Sequence, residues 1–501
     1  MPDSTENGGA GRSKNSNGEI VTVTKTAKRS LWLMGLSIIL VLYVHTSLAP
    51  ALTEMVEFFD TDYSVVSWVL TAYMVAGAAS TIVVGKLADI YGAKKMLLLV
   101  FLCYTVGTAL AGFAQEIYTL LVLRVLQGIA VALVPICVRI ARDLYPLKEF
   151  PMAQGVILSM YQAGSAIGLV LGAVVVYFGG WQFVFFSATP FAILFFFLLW
   201  KLIPNIPSHT PKAAEPKRQG KIIDIPGIIT LILTISTFML SITFLGGSAE
   251  TISLFWIFLV IGIASLIAFL LIEKRSETPL IDLKLAFHRI IRVGNVTYLM
   301  LGVVQYIIFS TIPTFAQTQQ PYGLGVDTLY VGLLQLPQAI VFVVLGPIAG
   351  ILAIKYGNLR FIIPGSIVLT VGLFLVLFYH STSAEVASTL ILFAVGGSFL
   401  SLSANVIIYF TPRESTGVVS ATYSTMRIIG GAIGPVIAGV FLSIFTVEIQ
   451  DPLHAGEMLA IPDSTAFNIT FLVGALASLV MIPMMIIMRR RAISMGMPPI
   501  K

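Results

Sequence analysis

Two arginines stand in the middle of apolar stretches, Arg124 in LVLRVLQG and Arg427 in STMRIIGG. A guanidinium in hydrocarbon costs about 2.5–3.5 kcal/mol on insertion scales, so each is expected to face a bundle interior and hold partners there. Gln127, three residues after Arg124, falls on the same helical face. The chemistry open to such groups is the handling of a proton or an anion. His45 is the one titratable side chain, apart from cysteine and tyrosine, deep enough in an apolar stretch to exchange protons near neutral pH, and Glu54 follows at the end of that stretch. Arg124 with His45 or Glu54 is therefore the candidate proton-linked group, with a structural, hydrogen-bonded histidine as the competing reading. Arg427 has two readings as well, one in structure or gating and one as a contact for an anionic ligand group. Tyr73, Gln127, Tyr161, Gln162, Asn295, Gln305, Gln335, Gln338 and Asn405 add polarity inside apolar stretches. Singly each suits an interhelical hydrogen bond; together they suit an amphipathic cavity.

A different grouping occupies residues 85 to 96, GKLADIYGAKKM, where Asp89 and the lysines 86, 94 and 95 interrupt the apolar pattern. A carboxylate at a helix end can lie against the positive terminus of a helix from another part of the bundle and against loop cations. The stretch from Gly350, GILAIKYGNLRF, keeps Gly-x-Leu-Ala-x-x-Tyr-Gly but has Ile354 where Asp89 stands. In GSAIGLVLG, Gly164, Gly168 and Gly172 recur every four residues. One helix face is then bare enough for a neighbouring backbone to come close, which suits packing between the halves of a bundle. No Gly-x-x-x-x-Gly-Lys-[Ser/Thr] loop, nucleophile–base spacing or metal box occurs, so direct ATP drive, enzymatic catalysis and cofactors are not expected.

These residues need a scaffold of membrane-crossing helices. Of 501 residues, 57% are apolar and 11% charged, where soluble domains carry ~25% charged; mean hydropathy is +0.94. Crossing ~30 Å of hydrocarbon takes roughly 20 mostly apolar residues, and fourteen such windows can be placed, among them 152–179, 181–203 and 416–446. Continuous apolar runs exclude a β-barrel, whose strands alternate. The net charge of +6 is distributed by loop. Apart from Arg124 and Arg427, the remaining 28 of 30 Lys and Arg fall in the chain ends or the even-to-odd loops and their flanking helix ends. Odd-to-even loops hold only acids, such as Glu54, Asp327, Glu385 and Asp463. That asymmetry is expected to put both termini in the cytoplasm, and it makes the basic balance a topology signal with no bearing on nucleic acid. Cys103 and Cys137 both fall in spans, so no structural disulfide is expected. Residues 1–30 lack a signal-peptide core and read as a disordered cytoplasmic tail.

The chain also repeats itself. Gly85 to Gly350 is a lag of 265 residues, and GSAIGLVLG returns as GGAIGPVIAG, with Gly430, Gly434 and Pro435, at a lag of 266. The lag pairs Arg427 with Tyr161. A six-helix unit at 31–203 is thus duplicated at 290–489, with cytoplasmic linkers 204–223 and 273–289 around an inserted helix pair at 224–272, and a tail at 490–501. An even helix count puts both copies the same way up, and such pairs enclose a site at the midplane.

GKLADIYGAKK resembles the loop signature between the second and third helices of the major facilitator superfamily, and LVLRVLQG resembles its fourth-helix Arg-x-x-Gln-Gly pattern. The fourteen windows, DIPG from Asp224 and TPLIDLKLAFHR from Thr278 resemble the drug:proton antiporter branch. The resemblance implies an all-α integral membrane fold of fourteen transmembrane helices, two six-helix halves plus the inserted pair. It implies a latch at Asp89 that holds the outward-open state, with Gly85 for close approach, Gly92 for a tight turn and Lys95 among the loop cations. It also implies proton coupling at Arg124 beside a first-helix acid. Two departures stand out: Val41 occupies the place of that acid, nine residues before Pro50, and Leu169 replaces the proline of the fifth-helix Gly-Pro, which appears at Pro435 instead.

The expected function is secondary transport by alternating access, with proton-coupled efflux of small amphipathic compounds. Without a buried acid to attract cations, neutral, amphipathic or anionic substrates fit better than polycations. A specific metabolite exchanger or uniporter is a second reading, favoured by Val41; a non-transporting receptor is a third. The expected partners are a small-molecule substrate, protons and the lipid bilayer, for a monomer in the cell membrane.

Overall fold

The computed structural model describes residues 13–14, 20–21, 24–61, 63–146, 148–205, 224–245, 252–276, 279, 287–450 and 458–497. In the first half the helices are α1 (Lys25–Ser47), α2 (Leu52–Phe59), α3 (Tyr63–Tyr91), α4 (Ala93–Ala111), α5 (Ile117–Gly128), α6 (Leu133–Leu144) and α7 (Phe150–Leu202). Then come α8 (Ile225–Leu245) and α9 (Ile252–Arg275). The second half holds α10 (Arg289–Gln317), α11 (Thr328–Tyr356), α12 (Ile362–Phe378), α13 (Ser383–Leu400), α14 (Ser403–Tyr409), α15 (Thr416–Ile444), α16 (Ser464–Leu479) and α17 (Met481–Ser494). Helices α5 with α6, α13 with α14, and α16 with α17 make single crossings, so thirteen helical stretches among the described residues are long and apolar enough to span a membrane.

One of the thirteen is a double. Helix α7 has 53 residues, ~80 Å if straight at ~1.5 Å per residue and more than twice the hydrocarbon thickness. Gly180, at φ 72° and ψ 175°, breaks it where the windows 152–179 and 181–203 meet, so the described residues make fourteen crossings. Glu54 Oε1 accepts from Trp181 N at 3.3 Å and so caps the second crossing. The acids of the opposite-face loops serve similarly: Asp327 accepts from Tyr330 N at 2.7 Å, Asp463 from Ala466 N at 2.8 Å, and Glu385 forms a capping box with Thr382. Each such cap is worth about 1 kcal/mol.

The two halves repeat their packing: α1 lies along α7, and α10 along α15. Between halves, α7 meets α11 and α15 meets α3. The glycine ladder differs from expectation, because it serves contacts inside a half. A Cβ at Gly164 would lie 2.8 Å from Ile39 Cα and one at Gly168 2.9 Å from Tyr43 Cα, while Gly172 abuts Ser47, all on α1. Gly430 and Gly434 likewise abut Leu299 and Val303 of α10, and Pro435 follows them within α15. Small residues every fourth position report how close a backbone comes, and the closest crossing here is the one within each half. Across the halves the close approaches include Gly85 against Gly417, Gly350 against Met152 and Gly346 against Gly155.

The inserted pair touches both halves. Leu231, Ile235 and Met239 of α8 bury together with Ala79 and Ile82 of α3 and with Ala421 and Ile428 of α15, while α9 packs on α8. Some boundaries also move. Thr24 Oγ1 accepts from Ala27 N at 3.1 Å and starts α1 at Lys25, so residues 25–30 leave the expected tail for the helix. Earlier in that tail, β1 (Ser13–Lys14) pairs antiparallel with β2 (Ile20–Val21), and the other residues of 1–23 lie outside those described. Helix α17 runs past 489 to Ser494 because Met485, Met488 and Ala492 keep one face buried. The window 416–446 ends in a hairpin instead of helix: β3 (Thr446–Gln450) pairs antiparallel with β4 (Met458–Pro462), following the alternation of Val447 and Ile449 with polar neighbours. Most of the linkers 204–223 and 273–289 lies outside the described residues.

Candidate functional site

On the face that carries the chain ends and the basic loops, α3 finishes beside the N-terminus of α15. Asp89 Oδ1 accepts from Gly417 N at 3.2 Å, and Oδ2 from Val418 N at 3.1 Å. The first N–H groups of a helix have no partner within it and form its positive end, so a carboxylate suits them. Arg139 of α6 pairs with Asp89 Oδ1 at 3.0 Å and with Asp143 Oδ1 at 3.0 Å. Asp89 and Arg139 are buried and the Asp143 side chain is 8% exposed, and α15 alone of these elements belongs to the second half. Gly85, one turn before Asp89, would place a Cβ 2.8 Å from Gly417 O. Gly92 turns the chain into α4 at φ 100°, a conformation that favours glycine.

Lys95 is not in this cluster; it is exposed, and Arg139 is the cation that holds the carboxylate. A buried carboxylate has no water to pair with, so a cation delivered from inside the bundle satisfies it where a hydrated loop lysine does not. Arg139 and Arg142 lie buried in the crossing Ile117–Leu144, so the arginines inside spans exceed the two expected. Just beyond that crossing, burial and then the charge of Glu149 push the Tyr145 phenol up to about 12.

Deeper in the first half, each nitrogen of Arg124 meets a neutral acceptor. Its Nε donates to Val69 O at 2.9 Å, one terminal nitrogen to Gln127 Oε1 at 2.6 Å, and the other contacts His45 Nδ1 at 3.0 Å. A guanidinium only donates, so His45 Nδ1 is the acceptor and the ring proton of a neutral His45 sits on Nε2. The Tyr73 ring contacts both, stacked on His45 at 4.2 Å and 4.4 Å from the guanidinium carbon. Val41, the residue in place of the first-helix acid, is buried. Glu54 is not brought to this group; it stays with Trp181 at the break in α7.

The second arginine sits where the halves meet. Arg427 lies 4.6 Å from the ring of Tyr161, its partner in the repeat. One terminal nitrogen donates to Gln305 Oε1 at 2.6 Å and to Gln162 Oε1, while Gln305 Nε2 also donates to Gln162 Oε1 at 2.6 Å. A gap of about 10 Å³ lined by His45 and Tyr73 on one side and Tyr161 and Tyr306 on the other lies between the two arginine clusters. Toward the acidic-loop face the halves part. A cleft of about 320 Å³ lies between Ala49, Leu52 and Leu169 of the first half and Phe309, Val331 and Gln335 of the second. Gln338 Nε2 donates to Gln335 Oε1 at 3.2 Å at its edge. Asn405 stands elsewhere, donating to Asn358 Oδ1 at 3.0 Å near the turn after α11, so it does not line this space.

Sequence reasoning missed Arg139, Gly417 and Val418. Arg139 had one signal, its place four residues before Asp143 on a helix; a backbone donor leaves none. Among the described residues no group of three or more His, Cys, Asp or Glu could hold a metal.

The Major Facilitator Superfamily model matches residues 34–272, 227–435 and 295–495. Multidrug resistance protein 3 of Bacillus subtilis (strain 168) is 28% identical over 444 residues, 86% of this chain and 83% of that protein. Multidrug efflux pump LfrA of Mycolicibacterium smegmatis is 26% identical, covering 85% and 83%. Riboflavin transporter RibZ of Clostridioides difficile (strain 630) is 25% identical, covering 77% and 81%. Among solved structures, the human organic anion transporter MFSD10 (TETRAN) superposes with a TM-score of 0.64 at 14% identity, over 92% of this chain and all of that one.

Proposed function

Because the chain belongs to the Major Facilitator Superfamily, a family of multi-pass membrane transporters, we propose that it is a secondary active transporter that exports small amphipathic compounds in exchange for protons. One observation carries the reading: the halves are clasped at Asp89 on one face while a 320 Å³ cleft lies between the same halves toward the other. Alternating access needs such a pairing, and in this reading the basic face is cytoplasmic, with both termini there, in a monomer of the cell membrane. Gly85, Asp89 and Gly92 act as the latch, with Arg139 in the role first given to Lys95. Tyr161, Gln162, Gln305 and Arg427 line the substrate path.

The proton step falls to His45 and Arg124. Nδ1 can accept from Arg124 only while it carries no proton, so a proton there and the bond at 3.0 Å exclude each other. Proton arrival thereby moves Arg124, and with it the contacts to Val69, Gln127 and Tyr73. Relatives named for multidrug resistance and efflux support the export direction. A relative named as a riboflavin transporter, together with Val41, supports a second reading, transport of one specific metabolite without protons.

Reconstitution into liposomes with an imposed pH gradient, tested against a panel of amphipathic compounds, decides between them. Accumulation that collapses with the gradient is expected; flux indifferent to the gradient overturns proton coupling and supports the exchanger or uniporter. His45→Gln keeps an acceptor for Arg124 but cannot titrate, so it should lose gradient-driven accumulation and keep solute counterflow.

A further inference from the structure

Arg427 differs from Arg124 in what satisfies it. Arg124 has three acceptors on three different nitrogens, including a backbone carbonyl. Arg427 makes its two hydrogen bonds, to Gln162 and Gln305, from one terminal nitrogen, and both acceptors are neutral amides. Its Nε is buried and has no acceptor among the described residues. A guanidinium offers five N–H groups in a fixed fork that matches a carboxylate in bidentate geometry, so Arg427 is left with unused donors and an unneutralised charge at the interface of the halves.

The space beside it is contracted. Two gaps of about 10 and 20 Å³, both lined by Leu158, Tyr298 and Arg427, adjoin the guanidinium, room for about one water each. Gln162 comes from α7 in the first half, whereas Arg427 and Gln305 belong to α15 and α10 in the second. The bond from Arg427 to Gln162 therefore exists only while the halves are together at this depth.

We propose that Arg427 binds the anionic group of the substrate, a carboxylate-bearing amphiphile, when the basic face is open, and that Gln162 displaces that group as the halves close. This deepens the export reading and rests on it. A carboxylate is the stronger acceptor and wins when Gln162 is withdrawn. Closure brings the amide oxygen back, contracts the gaps to the size of a water, and leaves the anion free to depart through the cleft on the far side.

Three probes on one naphthalene body test this: naphthylacetate, naphthylacetamide and naphthylmethyl-trimethylammonium. Equilibrium binding to the full chain in lipid nanodiscs, and flux in proteoliposomes, are measured for the wild type, Arg427→Gln, Arg427→Lys and Gln162→Leu. The wild type should bind the carboxylate at least about tenfold more tightly than the amide, the factor of a hydrogen bond to a charged group, and should bind the quaternary amine least. Arg427→Gln should erase that preference, and Arg427→Lys should keep its sign at smaller size, since an ammonium is a point charge without the fork. Gln162→Leu should tighten carboxylate binding by about threefold or more, because a competing hydrogen bond is gone, with the amide unchanged. An Arg427 that only holds the fold would affect the three probes alike. Equal wild-type binding of the three, failure to bind the carboxylate, or a preference that survives Arg427→Gln would overturn the proposal. Carboxylate-selective binding without gradient-driven flux upholds the site and overturns the export reading. Flux of the amide or quaternary amine without the carboxylate upholds export and overturns the site.

Discussion

Asp89 receives two backbone N–H groups from α15 and one guanidinium from α6, so its charge is matched from both halves. Asp89→Asn keeps the shape and one accepting oxygen but removes the charge, and it leaves buried Arg139 with Asp143 alone. Hydrogen bonds to charged groups contribute about 1.5–3 kcal/mol, so the clasped arrangement should lose roughly 10- to 150-fold in relative population. Spin labels at the exposed positions Tyr91 and Glu414 would report this as a shift to longer distances; an unchanged distribution would count against a clasp. Lys95→Gln, at an exposed position, should leave the distances as they are. Asp89 was legible in the sequence because an acid among apolar residues is conspicuous. Arg139 was not, because a basic residue near a basic loop looks like every other topology signal, and only the packing of α6 against α3 brings it to Asp89. Arg124 and His45 were legible as isolated polar groups and do meet, whereas Glu54 and Asn405 were grouped with the site by their residue types and lie with Trp181 and Asn358 instead.

At the scale of helices, the fourteen crossings and their division at Gly180 could be read from apolar run lengths, since lipid sets a minimum length and a glycine marks the break. The partner of the glycine ladder could not, because period fixes a face and leaves open what covers it. Its place against α1 makes a prediction: Gly172→Val adds bulk where a Cβ already collides with Ser47, at a cost of about 1–3 kcal/mol for overpacking. The purified protein should show a lowered apparent Tm, and the distances between the halves should not change. The inserted pair makes another. Helix α8 contributes to a cluster with more residues from α3 than from α15, and Trp68 of α3 lies 5.9 Å from Phe244 of α8. It should therefore travel with the first half. A crosslink between Trp68→Cys and Phe244→Cys should leave transport within about twofold, while one between Ile235→Cys and Ile428→Cys should cut it at least about tenfold, since rocking of the halves gates each turnover. The reverse order would assign the pair to the second half.

Over the whole molecule, the repeat sets two seams on the basic face side by side, and they are built from opposite chemistry. The lag places Ile354 at the position of Asp89, Asn405 at that of Arg139, and Pro151 at that of Gly417. The second seam has thus exchanged the acid for an alkyl group, the cation for an amide, and one helix N-terminal donor for a proline, which has no N–H. Gly350 still comes close to Met152, so the approach of backbones is kept while the charge is gone. Asn405 Oδ1 is buried without a partner among the described residues, consistent with a position shaped for a different group. The three exchanges belong together: Ile354→Asp alone would set a carboxylate beside Pro151, beside a Met152 N–H already given to Glu149 O at 3.2 Å, and beside neutral Asn405. An unsatisfied buried acceptor costs about 1–3 kcal/mol, more when charged, so the single variant should show a clear fall in apparent Tm. Adding Asn405→Arg should restore at least half of the fall, and adding Pro151→Gly should restore more by returning the N–H. Wild-type stability in the single variant, or no recovery in the double, would mean that the halves share a backbone plan without sharing the side-chain logic of the clasp. If recovery follows the order given, the present asymmetry has a mechanical consequence. The α3–α15 seam then opens only by stripping two backbone N–H donors from the buried Asp89 carboxylate, the α7–α11 seam opens without such a loss, and Asp89 is the side chain on the basic face that limits the rate of exposing it.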